Sequence, residues 1–391
     1  MWIGNVQTEI DDDGLCQHTV SNAKEYPSTQ LLMDENHQPI FEANAFILDT
    51  LIVNRSKDTS QTCKALLSFF RFIRQNEGLD WRVTKVPNRE QAIFLYRAKL
   101  NSLKDKGVYT DKTCAGYLSV IRRFYKFCFK HRYVDHLPYD ITGKTKYQQD
   151  ITNCTIRVRK KPRELRPLSE RHLKYVYESW HVVPLEARLG ILMSQFMGLR
   201  EVEVCTMRKR LLAVPKDFEG RTFSGIPIGP RTNVHTKGGG DREISVPIWL
   251  VRLFEKYHNS PRYRVRQAMY YEMYGGEDFP ALLTDEGDLY STEVLTTYWS
   301  KISKEVRSND PFYKHRWHDN RATFGCAKME TLLDNTSCTP SQALALLQSE
   351  MGHTDPSTTQ LYLAHWQNNP EQQIITEVMT NFVESILENI E

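Results

Sequence analysis

Between residues 46 and 138, apolar side chains recur at intervals of three and four, which is the pattern of amphipathic helices. The last of these predicted helices begins near Thr110 and places apolar and basic residues largely on opposite sides. The basic side fits either a DNA-gripping domain or an ordinary solvated helix face. The apolar side comprises Tyr117, Ile121, Phe124 and Cys128, and the basic side comprises Arg122, Arg123, Lys126 and Lys130.

A second helical region follows a polar and then basic stretch over residues 139–165, which is typical of a linker. Ser169 is a good N-cap for the first helix of this region. Further along the chain, Pro and Gly become frequent, and the turn signal at residues 238–241 predicts a hairpin. Its paired strands would be residues 234–237 and 243–246. We therefore predict an α+β fold that is mainly α, with a small antiparallel β-sheet.

The two ends of the chain have patterns of their own. Residues 1–45 form a predicted N-terminal extension, in which residues 31–41 fit a small hairpin with a polar turn. Over residues 371–391, apolar side chains at helical spacing alternate with glutamates and predict an amphipathic C-terminal helix. This helix would either pack on its own domain or dock into a neighbouring subunit.

The composition is that of an ordinary soluble globular protein of two or three domains, with 391 residues, 40% of them apolar and 25% charged. No stretch approaches the roughly 20 apolar residues of a membrane helix, so no membrane partner is expected. The acidic start of the chain lacks the basic and apolar parts of a secretory signal, which predicts a cytoplasmic protein. Its eight cysteines form no Cys-x-x-Cys pair, so neither a zinc site nor a disulfide framework is expected.

The net charge of +3 does not by itself indicate a nucleic-acid partner, but the distribution of charge is more informative. Basic residues crowd into residues 157–166, at the end of the predicted linker, where only Glu164 opposes them. Such a run is most often solvated, whereas beside a site for phosphodiester chemistry it favours contact with DNA phosphates. The run comprises Arg157, Arg159, Lys160, Lys161, Arg163 and Arg166.

The most informative feature of the chain is an ordered set of cations and hydrogen-bond donors that ends in a tyrosine. Each of its elements alone is more often structural than functional. Together, and in this order, they suit chemistry on a phosphodiester. The set comprises Arg200 in Gly-Leu-Arg, Lys237 before three glycines, the His-x-x-Arg pair His318 and Arg321, His353 in Gly-His, and Tyr362.

Cleavage of a phosphodiester needs a nucleophile, neutralisation of the non-bridging oxygens and a proton for the leaving oxygen. Arg200 and Arg321 suit a bidentate clamp on the phosphate, and Tyr362 supplies a hydroxyl nucleophile. Lys237, on a predicted hairpin tip, could reach the leaving 5′ oxygen, and the two histidines could donate hydrogen bonds or accept the tyrosine proton. Neither an acidic cluster for magnesium nor a Walker-type motif accompanies this set, so no metal, ATP or other cofactor is expected.

These motifs resemble those of the tyrosine recombinase (phage integrase) family. Residues 198–203 are similar to the first-arginine box of the family, in which Glu203 would be a supporting residue. Residues 236–247 resemble the segment of the β-hairpin lysine, and residues 318–324 resemble the second-arginine box. Residues 351–362 resemble the Gly-His box and the nucleophile.

The resemblance covers about residues 46–370. It implies a helical core DNA-binding domain over residues 46–138 and a mixed catalytic domain over residues 166–370, which together would form a C-clamp on DNA. The chain departs from the family at Asn320, where an apolar residue is usual, and at Ala322, where a second histidine often follows the arginine. Neither departure removes a catalytic group, although packing around the second arginine would differ.

The resemblance further implies a site-specific recombinase that breaks and rejoins double-stranded DNA without metal or ATP. Tyr362 would leave a 3′-phosphotyrosine and a free 5′-hydroxyl, and strand exchange would pass through a Holliday junction. A dimer would bind one site and a tetramer would form the synapse. Directionality or host accessory proteins would be further partners, and the DNA-bound enzyme would be associated with the nucleoid. Two alternatives are a relaxing enzyme similar to type IB topoisomerases and a catalytically silent DNA-binding protein on the same fold.

Overall fold

In the computed structural model, helices dominate and the described strands form three two-stranded antiparallel sheets. This confirms the prediction of a mainly α fold with a small antiparallel β component. The chain divides into two compact units, Met1–Lys161 and Pro162–Glu391. None of the described helices combines the length and the apolar character needed to cross a membrane. The structure describes residues 2–10, 16–25, 30–54, 59–145, 150–159, 164–215, 218–334 and 338–368.

The first unit is built on four helices among its described residues. The helix predicted from Thr110 is present as α4, and Thr110 Oγ1 caps it by accepting the Thr113 N–H at 3.1 Å. The apolar side of α4 is buried, with Ile121 and Phe124 at 0% exposure. The elements are β1 (Trp2–Ile10) paired with β2 (Cys16–Glu25), α1 (Phe41–Ile52), α2 (Ser60–Arg74), α3 (Ala92–Asp105), α4 (Asp111–Lys130), and β3 (Ile141–Lys144) paired with β4 (Asp150–Thr152).

Two segments at the borders of this unit are more ordered than their polar composition suggests. The predicted linker contains the hairpin of β3 and β4, and Cys154 just beyond it is fully buried in the core of the unit. Within the predicted N-terminal extension, Met33 and Pro39 pair across a turn, as the pattern of residues 31–41 predicts. Leu32 belongs to the same core, where its N–H donates to Asn44 Oδ1 at 2.7 Å.

The second unit begins with α5 (Glu170–Glu178), whose predicted N-cap Ser169 accepts the His172 N–H at 3.3 Å. It then contains α6 (Leu185–Phe196), α7 (Glu201–Thr206), β5 (Thr222–Ile228), β6 (Arg242–Pro247), α8 (Ile248–Asn259), α9 (Pro261–Tyr274), α10 (Thr292–Asn309), α11 (Trp317–Asp334), α12 (Pro340–Met351) and α13 (Pro356–Asn368). The predicted C-terminal helix over residues 371–391 lies outside the described residues.

The hairpin of the second unit corrects the sequence prediction. β6 contains the predicted second strand, but its partner is β5, and residues 234–237 are not a strand. The prediction was wrong because β5 contains Gly225 and Pro227, which are typical of loops, yet both strands of a two-stranded sheet are edges that tolerate proline. Between the strands the chain forms a short 3₁₀ turn and then passes through Asn233, at φ 59°.

Helix α11 is the central element of the second unit and packs against α6, α12 and α13. Asn320 on this helix is fully buried, and its polar atoms are all satisfied by neighbours. Gln195 Nε2 donates to Asn320 Oδ1 at 2.9 Å, and Asn320 Nδ2 donates to the Trp317 carbonyl at 2.9 Å. Tyr177 completes the chain by donating its hydroxyl to Gln195 Oε1 at 2.8 Å. The polar residue at position 320 is therefore matched by a polar partner on α6, as buried amides require.

Candidate active site

Arg200 stands at the N-terminus of α7, where Glu203 holds both its backbone and its side chain. Glu203 Oε2 accepts the Arg200 N–H at 2.8 Å and Oε1 accepts from Arg200 Nη1 at 2.9 Å, a capping arrangement within one helical turn. The turn into the helix needs Gly198, which has φ 63° and lies so close to Phe324 that a Cβ would come within 2.5 Å of its ring. The side chain of Arg200 remains 18% exposed, so it is accessible to a ligand.

Glu203 also binds Arg242, a residue that the sequence reasoning did not select. Arg242 Nη1 and Nη2 donate to the two carboxylate oxygens at 2.8 and 2.6 Å, while its Nε donates to the Glu350 carbonyl at 2.9 Å. The side chain of Arg242 is 6% exposed and that of Glu203 is fully buried. Arg242 thus ties β6 to the end of α12. Its position two residues after the three glycines, at the start of a strand, is the sequence signal for it.

Arg321, on α11, is the third guanidinium of this cluster. It is 2% exposed, donates to the carbonyl oxygens of Gly198 and Met351, and lies 3.9 Å from Glu203 Oε2. Burial and then the positive charge of Arg200 lower the pKa of Arg321 against the opposing charge of Glu203, and the resulting pKa is about 9. Burial alone would raise the pKa of Glu203, but the hydrogen bonds and charges of its arginines lower it overall.

The arginine cluster, defined as Arg200, Arg242 and Arg321 around Glu203, carries two positive charges in excess, because three guanidinium groups face one carboxylate. Such an excess, partly buried and preorganised, suits an anion with several oxygen acceptors. A phosphodiester is an anion of this kind. Among the described residues, no three His, Cys, Asp or Glu side chains lie together in a way that could hold a metal ion.

His318 and Lys237 lie at the exposed edge of the site. His318 occupies the first turn of α11, and Lys237 is exposed on the turn that precedes β6. The loss of hydration around the His318 ring lowers its pKa, and the charges of Arg321, Arg200 and Lys237 act in the same direction. The turn carrying Lys237 is closed by Thr236, whose hydroxyl donates to the Gly240 carbonyl at 2.7 Å.

His353 follows Gly352, which ends α12 in the left-handed conformation with φ 59°. A Cβ at Gly352 would come within 2.8 Å of Arg242 Cδ, so glycine serves both the turn and the close approach of the arginine. The His353 ring bonds Thr359 Oγ1 through Nδ1 at 3.0 Å. Burial, and then the charges of Arg321 and Arg200, lower the pKa of His353 to about 4, which keeps the ring neutral at neutral pH.

Tyr362, on α13, packs between His353 and α11. Its ring stacks on that of His353 with a centroid distance of 5.9 Å, and a Cβ at Gly325 would come within 2.8 Å of the phenol ring. The side chain is only 4% exposed. Burial raises the pKa of Tyr362, while Arg321 and Arg200 counteract the shift. The phenol is therefore protonated at neutral pH, and a nearby base must accept its proton during any nucleophilic attack.

All six predicted catalytic residues and Glu203 belong to the second unit, and the structure brings Arg200, Glu203, Arg321, His353 and Tyr362 into one cluster, with His318 and Lys237 at its rim. Arg166, at the end of the predicted basic run, lies 3.9 Å from Asp319.

Three of the predicted DNA-binding residues line one cleft of about 440 Å³ in the first unit, together with Tyr139. These are Arg122, Arg123 and Lys126 on α4. Arg122 Nη1 donates to Thr152 Oγ1 at 2.8 Å, and Lys126 pairs with Asp150. Lys130, Arg157 and Arg159 are exposed, whereas Lys160, Lys161 and Arg163 lie outside the described residues.

Comparison with known proteins finds solved structures to which the fold of this chain is similar. No protein-family model and no curated protein matches the chain. One similar solved structure is a lambda integrase (75–356) dimer bound to a COC′ core site, with 14% sequence identity and a TM-score of 0.48 over 81% of this chain and 94% of that chain. A second is XerH site-specific recombinase bound to difH, with 14% identity and a TM-score of 0.46 over 86% of this chain and 88% of that chain. A third is the Tn1549 transposon integrase with transposon right end DNA, with 14% identity and a TM-score of 0.47 over 81% of this chain and 93% of that chain.

Proposed function

We propose that the chain is a site-specific DNA recombinase that cleaves and rejoins strands through a covalent phosphotyrosine at Tyr362. The observation that carries this proposal is the arginine cluster beside a buried tyrosine and a neutral histidine. The cluster supplies the charge and the hydrogen-bond donors that a phosphodiester transition state needs. The tyrosine supplies a nucleophile that keeps the energy of the broken bond in a covalent intermediate.

The proposed reaction balances with groups of the chain itself. Arg200 and Arg321 hold the non-bridging oxygens of the scissile phosphate, which places the phosphorus in line with the phenol oxygen. The bond from phosphorus to Tyr362 Oη forms as the bond to the 5′ oxygen breaks. The phenol proton passes to a neutral histidine, because His318 and His353 both have lowered pKa values. Lys237 donates a proton to the leaving 5′ oxygen, and rejoining runs in reverse.

The proposal is tested by covalent trapping. DNA fragments that bind the protein are selected from a fragment library, rebuilt as nicked duplexes, and incubated with the protein in the presence of EDTA. A nick beside the cleaved bond releases the short strand and traps the intermediate. Wild type should give an SDS-stable adduct on a denaturing gel, and Tyr362→Phe should bind the same DNA without forming one.

Tyr274→Phe is the matched control, since Tyr274 is an exposed tyrosine on α9 and more accessible to DNA than Tyr362. The yield of SDS-stable adduct from this variant should equal the yield from wild type. Binding without an adduct by the wild-type protein on all selected duplexes would refute the recombinase proposal and leave the silent DNA-binding protein. Adduct formation together with relaxation of supercoiled DNA by a monomer would favour the topoisomerase alternative instead.

We further propose double-stranded DNA and copies of the same chain as partners, with a dimer on one site and a tetramer in the synapse. The cleft lined by Arg122, Arg123 and Lys126 is the proposed phosphate-binding surface of the first unit. Residues 371–391 would link protomers if their predicted apolar face docks in trans. Directionality or host accessory proteins remain further proposed partners of such an assembly.

A further inference from the structure

Four side chains form an unbroken hydrogen-bonded chain, the histidine relay, at the edge of the catalytic unit. The relay consists of Asp310, His172, His315 and Asp319. Asp310 Oδ2 lies 3.1 Å from His172 Nε2, His172 Nδ1 lies 3.1 Å from His315 Nε2, and His315 Nδ1 lies 3.1 Å from Asp319 Oδ2. Their side chains are between 10% and 23% exposed. The relay joins α5, the loop after α10, and α11.

The hydrogen bonds of the relay determine how many protons its two imidazoles carry. Ionised carboxylates only accept hydrogen bonds, so His172 Nε2 and His315 Nδ1 must both carry a proton. The hydrogen bond from His172 lowers the pKa of Asp310, which keeps that end ionised. The two inner nitrogens then face each other across 3.1 Å, and a hydrogen bond between them needs one proton, neither two nor none. The relay is complete only with three protons on the two rings.

Other charged and titratable groups surround the relay but leave the inner nitrogens to each other. Arg171 reaches Asp310 at 3.3 Å, and Arg166 lies 3.9 Å from Asp319. The Tyr313 ring packs on both imidazoles, with centroid distances of 5.2 and 5.1 Å. Arg307 Nε donates to the Tyr313 carbonyl at 3.2 Å. Burial raises the pKa of Tyr313, and Asp319 raises it further, so this phenol stays protonated and does not compete for the relay proton.

One end of the relay determines where α11 begins. Asp319 Oδ2 accepts the backbone N–H of Arg316 at 3.0 Å as well as the His315 ring, so it caps the first turn of the helix. His318 directly precedes Asp319 on α11, and Arg321 follows Asp319 by two residues. A change in the relay therefore acts directly on the turn that carries one proposed catalytic residue and precedes another.

We propose that the histidine relay is a proton-sharing positioning device, in which one proton held between His172 and His315 fixes the first turn of α11 and so sets the place of His318. The catalytic part of this inference rests on the proposed function, whereas the shared proton does not. Acidification adds a proton to the second inner nitrogen, the two N–H groups then repel, and the rings separate. Alkali removes the shared proton and leaves two lone pairs facing each other, so the relay opens at both ends of its pH range.

The shared proton is tested by NMR of the protein labelled with ¹⁵N-histidine, without DNA. Wild type should show a scalar coupling through the hydrogen bond between His172 Nδ1 and His315 Nε2, and the two rings should titrate as one coupled pair. In His172→Gln, this coupling and the joint titration should both be lost. Two independent titrations in wild type, with no coupling between the rings, would overturn the proposal even if the protein cleaves DNA as expected.

The positioning role is tested by following the His318 ring signals and the rate of adduct formation against pH. His172→Gln should shift the His318 signals and slow cleavage by about tenfold or more, because small displacements in an active site are costly. The part of the expected acid-side decline that comes from opening of the relay should be absent from this variant, whereas the part that comes from protonation of the accepting histidine should remain. His181→Gln is the matched control, since His181 is exposed and bonds only the Glu178 carbonyl in the described structure. Identical His318 signals in the two variants would overturn the positioning role.

Discussion

Glu203→Gln tests the arginine cluster most severely, because the variant keeps the shape of the side chain and removes its charge. Glu203 is fully buried and accepts two hydrogen bonds from Arg242, which is 6% exposed, so solvent screens this pair little. Removing one partner of such a buried pair costs about 3–5 kcal/mol. The loss of the ion pairs with Arg200 and Arg321 should lower the unfolding free energy by smaller amounts. The Arg200 side chain is 18% exposed, and Arg321 Nη1 lies 3.9 Å from Glu203 Oε2. Against a typical total stability of about 5–15 kcal/mol, this is a large fraction.

The pH dependence of this loss has a definite sign. The pKa of Glu203 is lowered in the folded protein, so its carboxylate stabilises the fold above the unfolded pKa of about 4.3. That contribution is lost as the pH falls through the lower, folded pKa. The difference in unfolding free energy between wild type and Glu203→Gln should therefore be full at pH 7 and should shrink below about pH 4.

The assay is urea unfolding of wild type, Glu203→Gln and Glu305→Gln at pH 7 and at successively lower pH. Glu305 is exposed on α10, so its substitution controls for the loss of one carboxylate from the net charge. We expect Glu305→Gln to match wild type and Glu203→Gln to unfold at clearly lower urea. If Glu203→Gln and Glu305→Gln unfold at the same urea concentration at pH 7, the carboxylate does not hold the cluster together and the reasoning is refuted.

Two further substitutions test other parts of the account. Gly325→Ala adds a methyl group within 2.8 Å of the Tyr362 ring and should therefore displace the tyrosine. We expect adduct formation to fall at least tenfold, while the affinity for DNA, measured by fluorescence anisotropy, stays within twofold of wild type. Gly116→Ala, where a Cβ meets nothing within 4 Å, should leave both unchanged, and equal adduct yields for the two would contradict the packing argument. Arg123→Ala should weaken DNA binding and reduce the slope of log affinity against log salt by about one, whereas an unchanged slope would exclude a phosphate contact at this residue.

The sequence was most predictive where periodicity and local chemistry agree. The apolar side of α4 and its start near Thr110 follow from the spacing of apolar residues alone, and both are present. The six predicted catalytic residues come from four separate segments, which local patterns cannot bring together. Their order along the chain resembles that of a known family, and the fold of the second unit brings Arg200, Arg321, His353 and Tyr362 together beside Glu203, with His318 and Lys237 at the rim.

What the sequence could not predict depends on contacts between distant segments. Strand β5 contains a glycine and a proline, and only its pairing with β6 shows that it is a strand. Arg242 looks like an ordinary strand residue until the fold brings it to Glu203, 39 positions earlier. The buried amide of Asn320 is likewise explained only by its hydrogen bond with Gln195, 125 positions away. Long-range polar partners of this kind leave no periodic signal, because each is a single residue matched by the tertiary structure.

The most direct test of the central claim is to identify the amino acid that carries the DNA. The trapped adduct would be digested with nuclease and protease, and mass spectrometry would locate the nucleotide remnant on one of the 19 tyrosines or on another residue. We expect a 3′-phosphate ester on Tyr362 alone, formed in EDTA and absent from Tyr362→Phe. A remnant on any other side chain, or a 5′-linked nucleotide, would contradict it.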